Sequence, residues 1–378
     1  MDLGLSEEQE MLKNFARDFL EKECPEKLVR DMEEDEKGYS PELWQKMAEQ
    51  GWQGLVIPPD YGGTGMTYVD LVILLEEFGR ALVPGPFVPT VVGGAIPILE
   101  MGSEAQKKEF LPKIASGNLI MTLAHTEPSA RFDAEGVELE AKADGDAYVL
   151  NGTKLFVRDS HVSDYMMVVA RTKKGANPED GITLFLVDSK SSGVTHTLLK
   201  TIASDKQTEV KFENVKVPKA NMLGPVDQGW GPFKKVALKA TVAECAYLVG
   251  LAQMDFEISV NYAKERVQFG RPIGAFQAIQ HKCADMVTDV DGARFIMYKA
   301  AWSVAEDEPD AEMDAHMAKA WCSEATRRVV AQGQQIHGGI GFTKDYNVQL
   351  YFRRQKAAEL AWGDADYHRE LVANALSL

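Results

Sequence analysis

A single acidic residue, Glu244, stands in an apolar run that reads ATVAECAYLVGLA and covers residues 240–252. Apolar surroundings disfavour the charged form of a carboxylate, which makes such a residue a stronger general base. Ionisable groups in such surroundings are typical of functional sites. The alternative is a satisfied polar contact at a subunit or domain boundary. Both interpretations of Glu244 remain open at this point.

The cysteines and histidines show no pattern typical of metal binding. The seven histidines do not recur at metal-ligand spacing, and no two cysteines form a C-x-x-C pair. Scattered cysteines are typical of a reducing compartment. The N-terminal segment MDLGLSEEQEML is acidic and lacks the apolar core of a secretory signal. We therefore expect a cytoplasmic protein without a metal site.

The overall charge of the chain argues against some classes of binding partner. The chain has 41 basic and 57 acidic residues among 378, a net charge of −16. So acidic a surface argues against nucleic-acid binding as the main function. No apolar run approaches the ~18 residues that indicate a membrane-spanning helix. The length exceeds that of one ordinary domain and predicts two or three.

The elements that must position Glu244 follow a helix–strand–helix order. Ser6 and Gln9 form a capping-box pattern at the start of the first helix. Near residue 120, short segments rich in Val, Thr, Phe and Tyr replace the helical periodicity and predict strands. Asp144-Gly145 and Asn151-Gly152 each suit a tight hairpin turn. Long amphipathic runs return after Gly231 and predict an antiparallel bundle.

The predicted fold is therefore mostly α-helical with a central β-domain. We predict an N-terminal helical domain over residues 1–119 and a small antiparallel β-barrel or sandwich over 120–228. A four-helix bundle is predicted over 229–378.

The order of motifs along the chain is more specific than any one of them. The series reads GWQGLVIPPDYGGTG (51–65), GSEAQKKEFLPKIASG (102–117), HTEP (125–128), NGTKLFV (151–157), VKFENVKVP (210–218), AKERVQFGRPIGAFQAIQ (263–280) and QQIHGGIGF (334–342). In this order and at these spacings, the series resembles the acyl-CoA dehydrogenase family over nearly the whole chain.

The resemblance implies a fold, a cofactor and a reaction. Members of that family have a helical domain, a β-domain and a four-helix bundle, and they usually assemble as tetramers. They bind FAD and acyl-CoA thioesters, remove the proton α to the thioester, and pass a hydride from the β-carbon to the flavin. Electron-transferring flavoprotein usually reoxidises that flavin. We therefore expect FAD, an acyl-CoA substrate and this electron acceptor for the chain.

The resemblance also implies which residues contact FAD. Thr126 and Phe156 match residues beside the flavin ring, and Arg158 follows at the position of a threonine near its N5 atom. Arg266 matches an arginine that reaches the diphosphate of FAD bound to a neighbouring subunit, which suits a guanidinium fork. The remaining matched residues are Phe269, Gln277, Gln335, Gly338 and Gly339. Each has a structural alternative, such as a buried strand phenylalanine, a surface ion pair of Arg266 with Glu265 or Asp285, or a helix terminator.

The sequence departs from the family where the catalytic base is expected. Trp362, in Ala361-Trp362-Gly363-Asp364, occupies the position of the usual glutamate and cannot accept a proton. A smaller branch carries its base near Ala240, which is not an acid either. Glu244 lies one helical turn beyond Ala240 and becomes the first candidate. Asp364 is the second, with a helix or loop cap as its alternative.

Two further departures concern the cofactor and the assembly. Arg131 and Phe132 replace a small Gly-Ser pair that approaches the flavin and CoA phosphates in the family. The segments GRALVPGPF (79–87) and LAWGDADYHRE (360–370) resemble a bacterial branch that includes subunits of heteromeric dehydrogenases. We therefore expect a homotetramer or a heterotetramer with a second such subunit. A subunit that only completes its partner's site, and a flavin oxidase or monooxygenase, are the competing functions.

Overall fold

The computed structural model describes residues 4–378 and is mostly helical, with one central sheet. Its helices are α1 Glu7–Glu23, α2 Glu26–Glu34, α3 Pro41–Glu49, α4 Tyr68–Ala81, α5 Phe87–Thr90, α6 Ile96–Met101, α7 Glu104–Ala115, α8 Trp230–Glu265, α9 Gln277–Ala305, α10 Ala311–His337, α11 Val348–Leu360 and α12 Ala365–Ala375. Its strands are β1 Met121–Ala124, β2 Glu140–Asp144, β3 Ala147–Arg158, β4 Tyr165–Arg171, β5 Ile182–Asp188, β6 Val194–Leu199, β7 Gln207–Pro218, β8 Met222–Leu223, β9 Val267–Gln268 and β10 Arg271–Pro272. The predicted order of helices, strands and helices is confirmed.

The chain forms two compact units. One contains residues up to 31 together with 68–83 and 241–378, and the other contains 32–67 and 84–240. The predicted capping box at the start of α1 is confirmed, because Ser6 accepts from the Gln9 backbone and Gln9 reaches back to the Ser6 backbone. The three-domain boundaries predicted at 119/120 and 228/229 remain predictions.

In the first unit, glycines bring α4 and α8 into close contact. A Cβ atom at Gly79 would collide with the carbonyl oxygen of Tyr247, and one at Gly250 would collide with the carbonyl oxygen of Glu76. Only glycine permits so close an approach of two helix backbones. Because α4 is apolar almost all round, it is buried along most of its length. This crossing fixes the part of α8 that carries Glu244.

In the second unit, the larger sheet has the strand order β6, β7, β3, β2, β4, β5 and β8. Most neighbouring strands are antiparallel, as predicted, whereas β1 pairs in parallel with β4, and β2 meets β4 through one parallel pairing. The core of this sheet is formed by alternate apolar side chains of its long strands. They include Leu150, Val168, Phe185, Val210 and Phe212.

One of the two predicted hairpin turns is wrong. Asp144-Gly145 lies at the turn between β2 and β3, where Gly145 has a positive φ of 58°. Asn151 and Gly152 instead lie within β3, at a register shift against β7. A Cβ at Gly152 would come within 2.9 Å of the Leu139 side chain. The glycine therefore serves close packing at a bulge, which a local turn signal does not distinguish from a hairpin.

Helix α8 is long and apolar enough to cross a membrane by length and composition alone. However, 72% of its apolar window is buried inside the protein. Such burial is typical of the core helix of a soluble protein, since the same apolar surface is already covered by protein.

Candidate active site

Glu244 is buried in α8, with only 3% of its surface exposed. Lys319 on α10 is also buried, with none of its surface exposed. Burial lowers the pKa of Lys319 from its ordinary value, and interactions with Cys245, Glu244, Cys322 and Glu359 oppose this lowering. The first unit thus contains a buried acidic and a buried basic side chain.

Lys319 donates hydrogen bonds to the chain segment around Trp362, the position of the usual base in the family. Its Nζ donates to the carbonyl oxygens of Glu359 at 2.7 Å and Gly363 at 3.0 Å. It also donates to the Ser323 hydroxyl at 3.1 Å and, more weakly, to the carbonyl of Ala358 at 3.3 Å. The end of α11 leaves carbonyl groups without helical partners, and a cation there satisfies them. Lys319 thus connects α10 to the loop between α11 and α12.

Trp362 lies in a left-handed turn within that loop. Its φ is 62° and that of the following Gly363 is 100°. The Trp362 carbonyl accepts a hydrogen bond from Nε2 of His368 at 2.9 Å. Two buried side chains therefore fix this turn, namely His368 at the Trp362 carbonyl and Lys319 at the Gly363 carbonyl.

The two histidines behind this turn have defined proton positions. Burial lowers the pKa of His368 to about 3, and the charges of Lys319 and His316 add to the effect. A neutral His368 that donates from Nε2 must accept at Nδ1. The Nδ1 of His316, 3.0 Å away, is then the donor to it. The chain His316–His368–Trp362 carbonyl is a directed series of hydrogen bonds.

Asp364, the second candidate base, caps α12. Its carboxylate accepts the backbone N–H of Tyr367 at 3.0 Å. This is the capping interaction that was its alternative interpretation. A catalytic role for Asp364 remains a prediction that competes with this contact.

In the second unit, two residues match those beside the flavin ring in the family. Thr126 lies in the motif HTEP, and Phe156 lies at a bulge in β3. The Thr126 carbonyl accepts the backbone N–H of Leu155 at 2.8 Å, which links the motif HTEP to β3. Phe156 lies at a register shift, has a φ of 55°, and exposes 53% of its surface. A non-glycine residue with this φ is uncommon and often marks a functional position. The alternative of a buried strand phenylalanine does not describe Phe156.

Arg158 is half-buried at the end of β3 and acts on its neighbour Asp159. Burial raises the pKa of Asp159 to about 7, and Asp205 adds to this rise, whereas Arg158 and Lys206 oppose it. The interaction with Asp159 is a structural alternative to contact between Arg158 and a flavin. Contact with a flavin remains a prediction for this residue.

In the first unit, Arg266, Phe269 and Gln277 are exposed around the hairpin of β9 and β10. Within the described chain, the Arg266 guanidinium forms neither the surface ion pair of its alternative interpretation nor another side-chain hydrogen bond. Phe269 is 91% exposed and has a φ of 55°, at the tip of the hairpin. An exposed guanidinium three residues from an exposed aromatic ring in the chain suits a ligand with a diphosphate and a flat base.

The main chain at Gly338 and Gly339, directly after α10, is accessible. Gln335 is exposed on the last turn of α10, and Gly338 ends that helix with a φ of 63°. Within residues 4–378, no atom lies within 4 Å of a Cβ built on Gly338 or Gly339. Gly338 is therefore a helix terminator, as its alternative interpretation states, and it also leaves space for a ligand to approach the main chain.

Arg131 and Phe132, which stand where the family has a Gly-Ser pair, contact nearby residues. Arg131 pairs with Asp133 at 2.7 Å and with Glu135 at 2.6 Å. The Phe132 ring lies 6.5 Å from that of His125, which also contacts Phe233 at 4.6 Å. Arg131 is thus paired with two carboxylates. Phe132 packs in an aromatic cluster and fills space that the smaller Gly-Ser pair would leave open.

The donor set of the matched residues suits FAD. In the second unit, the ring of Phe156 is exposed; in the first unit, the ring of Phe269 and the guanidinium of Arg266 are exposed, and Gly338 and Gly339 are open. Each of these groups suits a part of a dinucleotide with a flat ring and a diphosphate.

Sequence reasoning missed Lys319, His316 and His368. Lys319 looks like one more lysine of an amphipathic helix, although small apolar residues flank it in the run AKAWC. That flanking composition was the signal available for its burial. Nothing local in the sequence indicates that two histidines 52 positions apart are in contact.

Comparisons with known proteins give the family of the chain. Three family models match the chain: the acyl-CoA dehydrogenase N-terminal domain at residues 6–118, the middle domain at 122–215 and the C-terminal domain at 227–377. A probable acyl-CoA dehydrogenase of Bacillus subtilis, YngJ, is 34% identical over the full length of both chains. The caffeyl-CoA reductase–Etf complex subunit CarC of Acetobacterium woodii is 34% identical over 98% of each chain.

Solved structures agree as well. The ChsE4–ChsE5 complex from Mycobacterium tuberculosis contains a chain with a TM-score of 0.91 and 28% identity, and the match covers 100% of this chain and 99% of that one. Since the family models match most of the chain and the relatives align over nearly their whole length, the chain belongs to the acyl-CoA dehydrogenase family.

Proposed function

We propose that this chain is an FAD-dependent acyl-CoA dehydrogenase that desaturates the α,β-bond of an acyl-CoA thioester, with Glu244 as the proton acceptor. The observation that carries the proposal is the burial of Glu244 on α8, one helical turn beyond Ala240, near which a smaller branch of the family carries its base. Trp362, at the position of the usual base, cannot accept a proton. Asp364 is second, since its carboxylate already caps α12.

The chemistry follows from the properties of a thioester. Its α-proton is a weak acid in water, and a carboxylate in a dry site removes it more readily. Bound FAD would supply the hydride acceptor. Phe156 would stack on its ring, and Arg266 with Gly338 and Gly339 would hold the diphosphate and adenosine side of a cofactor that a second subunit shares. Thr126, Arg158, Phe269, Gln277 and Gln335 complete the proposed FAD contacts.

The proposed partners follow from the family and from the names of relatives. CarC belongs to a complex with Etf, which supports electron-transferring flavoprotein as the electron partner. The ChsE4–ChsE5 complex contains two kinds of chain, which supports a heterotetramer beside a homotetramer. A cytoplasmic location is proposed on the same family grounds.

The test is the visible spectrum of the purified chain before and after anaerobic addition of an acyl-CoA panel. A flavin band that bleaches with one acyl-CoA supports the dehydrogenase. The Glu244→Gln variant should then retain the band and bleach much more slowly. A flavin band that no acyl-CoA bleaches, with the chain folded and FAD bound, contradicts the proposal.

Trp362 stands in place of the usual base, and this favours a second function. The chain would then be a non-catalytic or half-site subunit that completes the FAD site of a related partner. The expected result is a chain without a flavin band, even after FAD is supplied, that acquires flavin when co-purified with its partner. Oxygen consumption without an artificial acceptor would instead indicate an oxidase.

A further inference from the structure

We propose that four buried polar side chains between α8 and α10 form a binding site for ordered water, which links the two helices just before α10 ends at Gly338. The four are Asp255 and Ser259 on α8 and Gln334 and His337 on α10, and we call their line of contact the α8–α10 seam. The site takes no part in the proposed chemistry, so its tests do not depend on turnover.

The polar atoms of the α8–α10 seam have no hydrogen-bond partner within residues 4–378. These atoms are both carboxyl oxygens of Asp255, the Ser259 hydroxyl, the oxygen and nitrogen of the Gln334 amide, and Nε2 of His337. Asp255 and Ser259 have no exposed surface, and Gln334 and His337 expose only 5% and 4%. Bulk solvent therefore does not satisfy them. Buried polar groups are nearly always bonded, and ordered water bonds those that the protein leaves unpaired.

The contacts of these side chains follow one line between the helices. Asp255 and Ser259 are four residues apart and share a face of α8. A Cβ atom built on Gly333 of α10 would lie 2.0 Å from an Asp255 carboxyl oxygen and 3.0 Å from the Ser259 hydroxyl. One turn further along α10, the His337 ring stacks on Tyr262 of α8 with the ring centroids 4.4 Å apart. The polar groups of both helices therefore face the same seam.

Two glycines leave room beside these groups. At Gly333, any side chain would collide with the Asp255 carboxyl group. At Gly341, a Cβ atom would come within 2.9 Å of the Gln334 amide oxygen and 3.1 Å of the His337 Cβ. Since glycine alone has no Cβ, the chain keeps this space free of its own side chains.

The chemistry of the unpaired atoms suits water better than a metal ion. The Nδ1 of His337 lies 2.8 Å from the Gly333 carbonyl, which only accepts, so Nδ1 carries the proton. Burial lowers the pKa of His337, which keeps the ring neutral and makes Nε2 an acceptor. The Gln334 amide supplies donors as well as an acceptor. A ligand that donates to Nε2 and accepts from an amide is water, because a cation does neither.

The metal alternative also lacks ligands. Among the residues that the structure describes, no group of three His, Cys, Asp or Glu side chains could hold a metal ion. Burial raises the pKa of Asp255 well above its ordinary value, so its carboxyl group is neutral and does not attract a cation.

The first test is a crystal structure of the full-length chain with FAD at a resolution of about 1.5 Å, at which ordered water is visible. We expect a water molecule within about 3.2 Å of the Ser259 hydroxyl and of at least one polar atom on α10. A dry seam, or side chains that hydrogen-bond directly to one another, would overturn the proposal.

The second test is the thermal stability of Ser259→Ala. Loss of a hydroxyl that binds water should lower Tm by about 2 °C, although alanine is the better helix former. Ser303→Ala is the matched control, because Ser303 is also a buried helical serine and its hydroxyl donates to Asp314 at 2.6 Å. The two variants should both lose stability. An unchanged or higher Tm for Ser259→Ala shows an unbonded hydroxyl and rejects the proposal.

The third test is a double-mutant cycle across the seam. Gln334→Met removes the amide and keeps the length of the side chain. Combined with Ser259→Ala, it should lower Tm by at least about 1 °C less than the sum of the single losses, because both groups bind the same water network. Combined with Ser303→Ala, it should give additive losses. Additive losses in both combinations mean that water does not link the helices. If Gln334→Met does not fold, the crystal structure and Ser259→Ala still decide.

Discussion

The Lys154 ammonium lies 2.6 Å from the Glu127 carboxylate, and both side chains are buried in the β-domain. Glu127 also accepts the backbone N–H groups of Glu138 and Leu139 at 3.0 Å. Lys154 in turn donates to the carbonyl of His125 at 2.9 Å. This pair therefore joins the HTEP motif to β3, on which Phe156 lies.

Breaking this pair should destabilise the chain strongly. Lys154→Met leaves the Glu127 carboxylate buried without its cation, and we expect a loss of about 3–5 kcal/mol in the free energy of unfolding. Urea unfolding followed by circular dichroism measures it. Lys142→Met removes an exposed pair with Glu140 on β2 and should change the free energy by less than about 1 kcal/mol. Similar losses for both variants would contradict the expectation.

Asp255 should make the stability of the chain fall at high pH. It is fully buried on α8, and within residues 4–378 neither carboxylate oxygen has a hydrogen-bond partner. Burial raises the pKa of Asp255 well above its ordinary value, so the folded chain keeps the group protonated while the unfolded chain ionises it. Its stabilising contribution is therefore complete below the ordinary aspartate pKa and is lost as the pH rises toward the raised pKa.

Asp255→Asn removes this dependence. We expect the variant to be more stable than the unaltered chain at pH ~8 by at least about 2 kcal/mol, with a difference that shrinks toward pH ~5. Chemical unfolding at a series of pH values gives the result. Asp285→Asn, at an exposed position of α9, serves as the control and should show no such trend. A difference that does not grow with pH would count against a protonated Asp255.

Phe156 should contribute to FAD affinity through its exposed ring. Phe156→Ala removes the ring while leaving the left-handed backbone in place, and we expect FAD binding to weaken about ten-fold. Quenching of flavin fluorescence on titration with the apo chain measures the affinity. Leu198→Ala, which removes another exposed apolar side chain from the same sheet, should leave it unchanged. Equal affinities for both variants would falsify the stacking role.

A glutamate placed at Trp362 should substitute for Glu244. The turn at Trp362 is fixed by hydrogen bonds from His368 and Lys319, so a new side chain there should keep the same backbone position. We expect Glu244→Gln to bleach slowly and Glu244→Gln/Trp362→Glu to recover at least about ten-fold in rate. Anaerobic stopped-flow absorbance gives both rates.

The control for this rescue is Glu244→Gln/Trp362→Gln, which has nearly the same shape but no proton-accepting group. Its rate should remain that of the single Glu244→Gln variant. If the Glu and Gln replacements of Trp362 behave alike, the recovered rate comes from the pocket shape and not from a base.

The sequence by itself determined the features that depend on neighbouring residues. The Ser6–Gln9 capping box and the turn at Gly145 depend on contacts within four positions, and the structure shows both. The family also followed from the sequence, because an ordered series of motifs is a property of the chain. The tertiary structure decided the features that depend on distant residues.

Asn151-Gly152 has the composition of a turn, yet contact with Leu139 and pairing with β7 keep it in a strand. The buried Lys319 on α10 donates to the Gly363 carbonyl, 44 positions away in the loop between α11 and α12. Sequence periodicity indicates which face of a helix is apolar, but not which polar group of another segment meets it. This contact therefore became visible only when the helices and the loop were placed together.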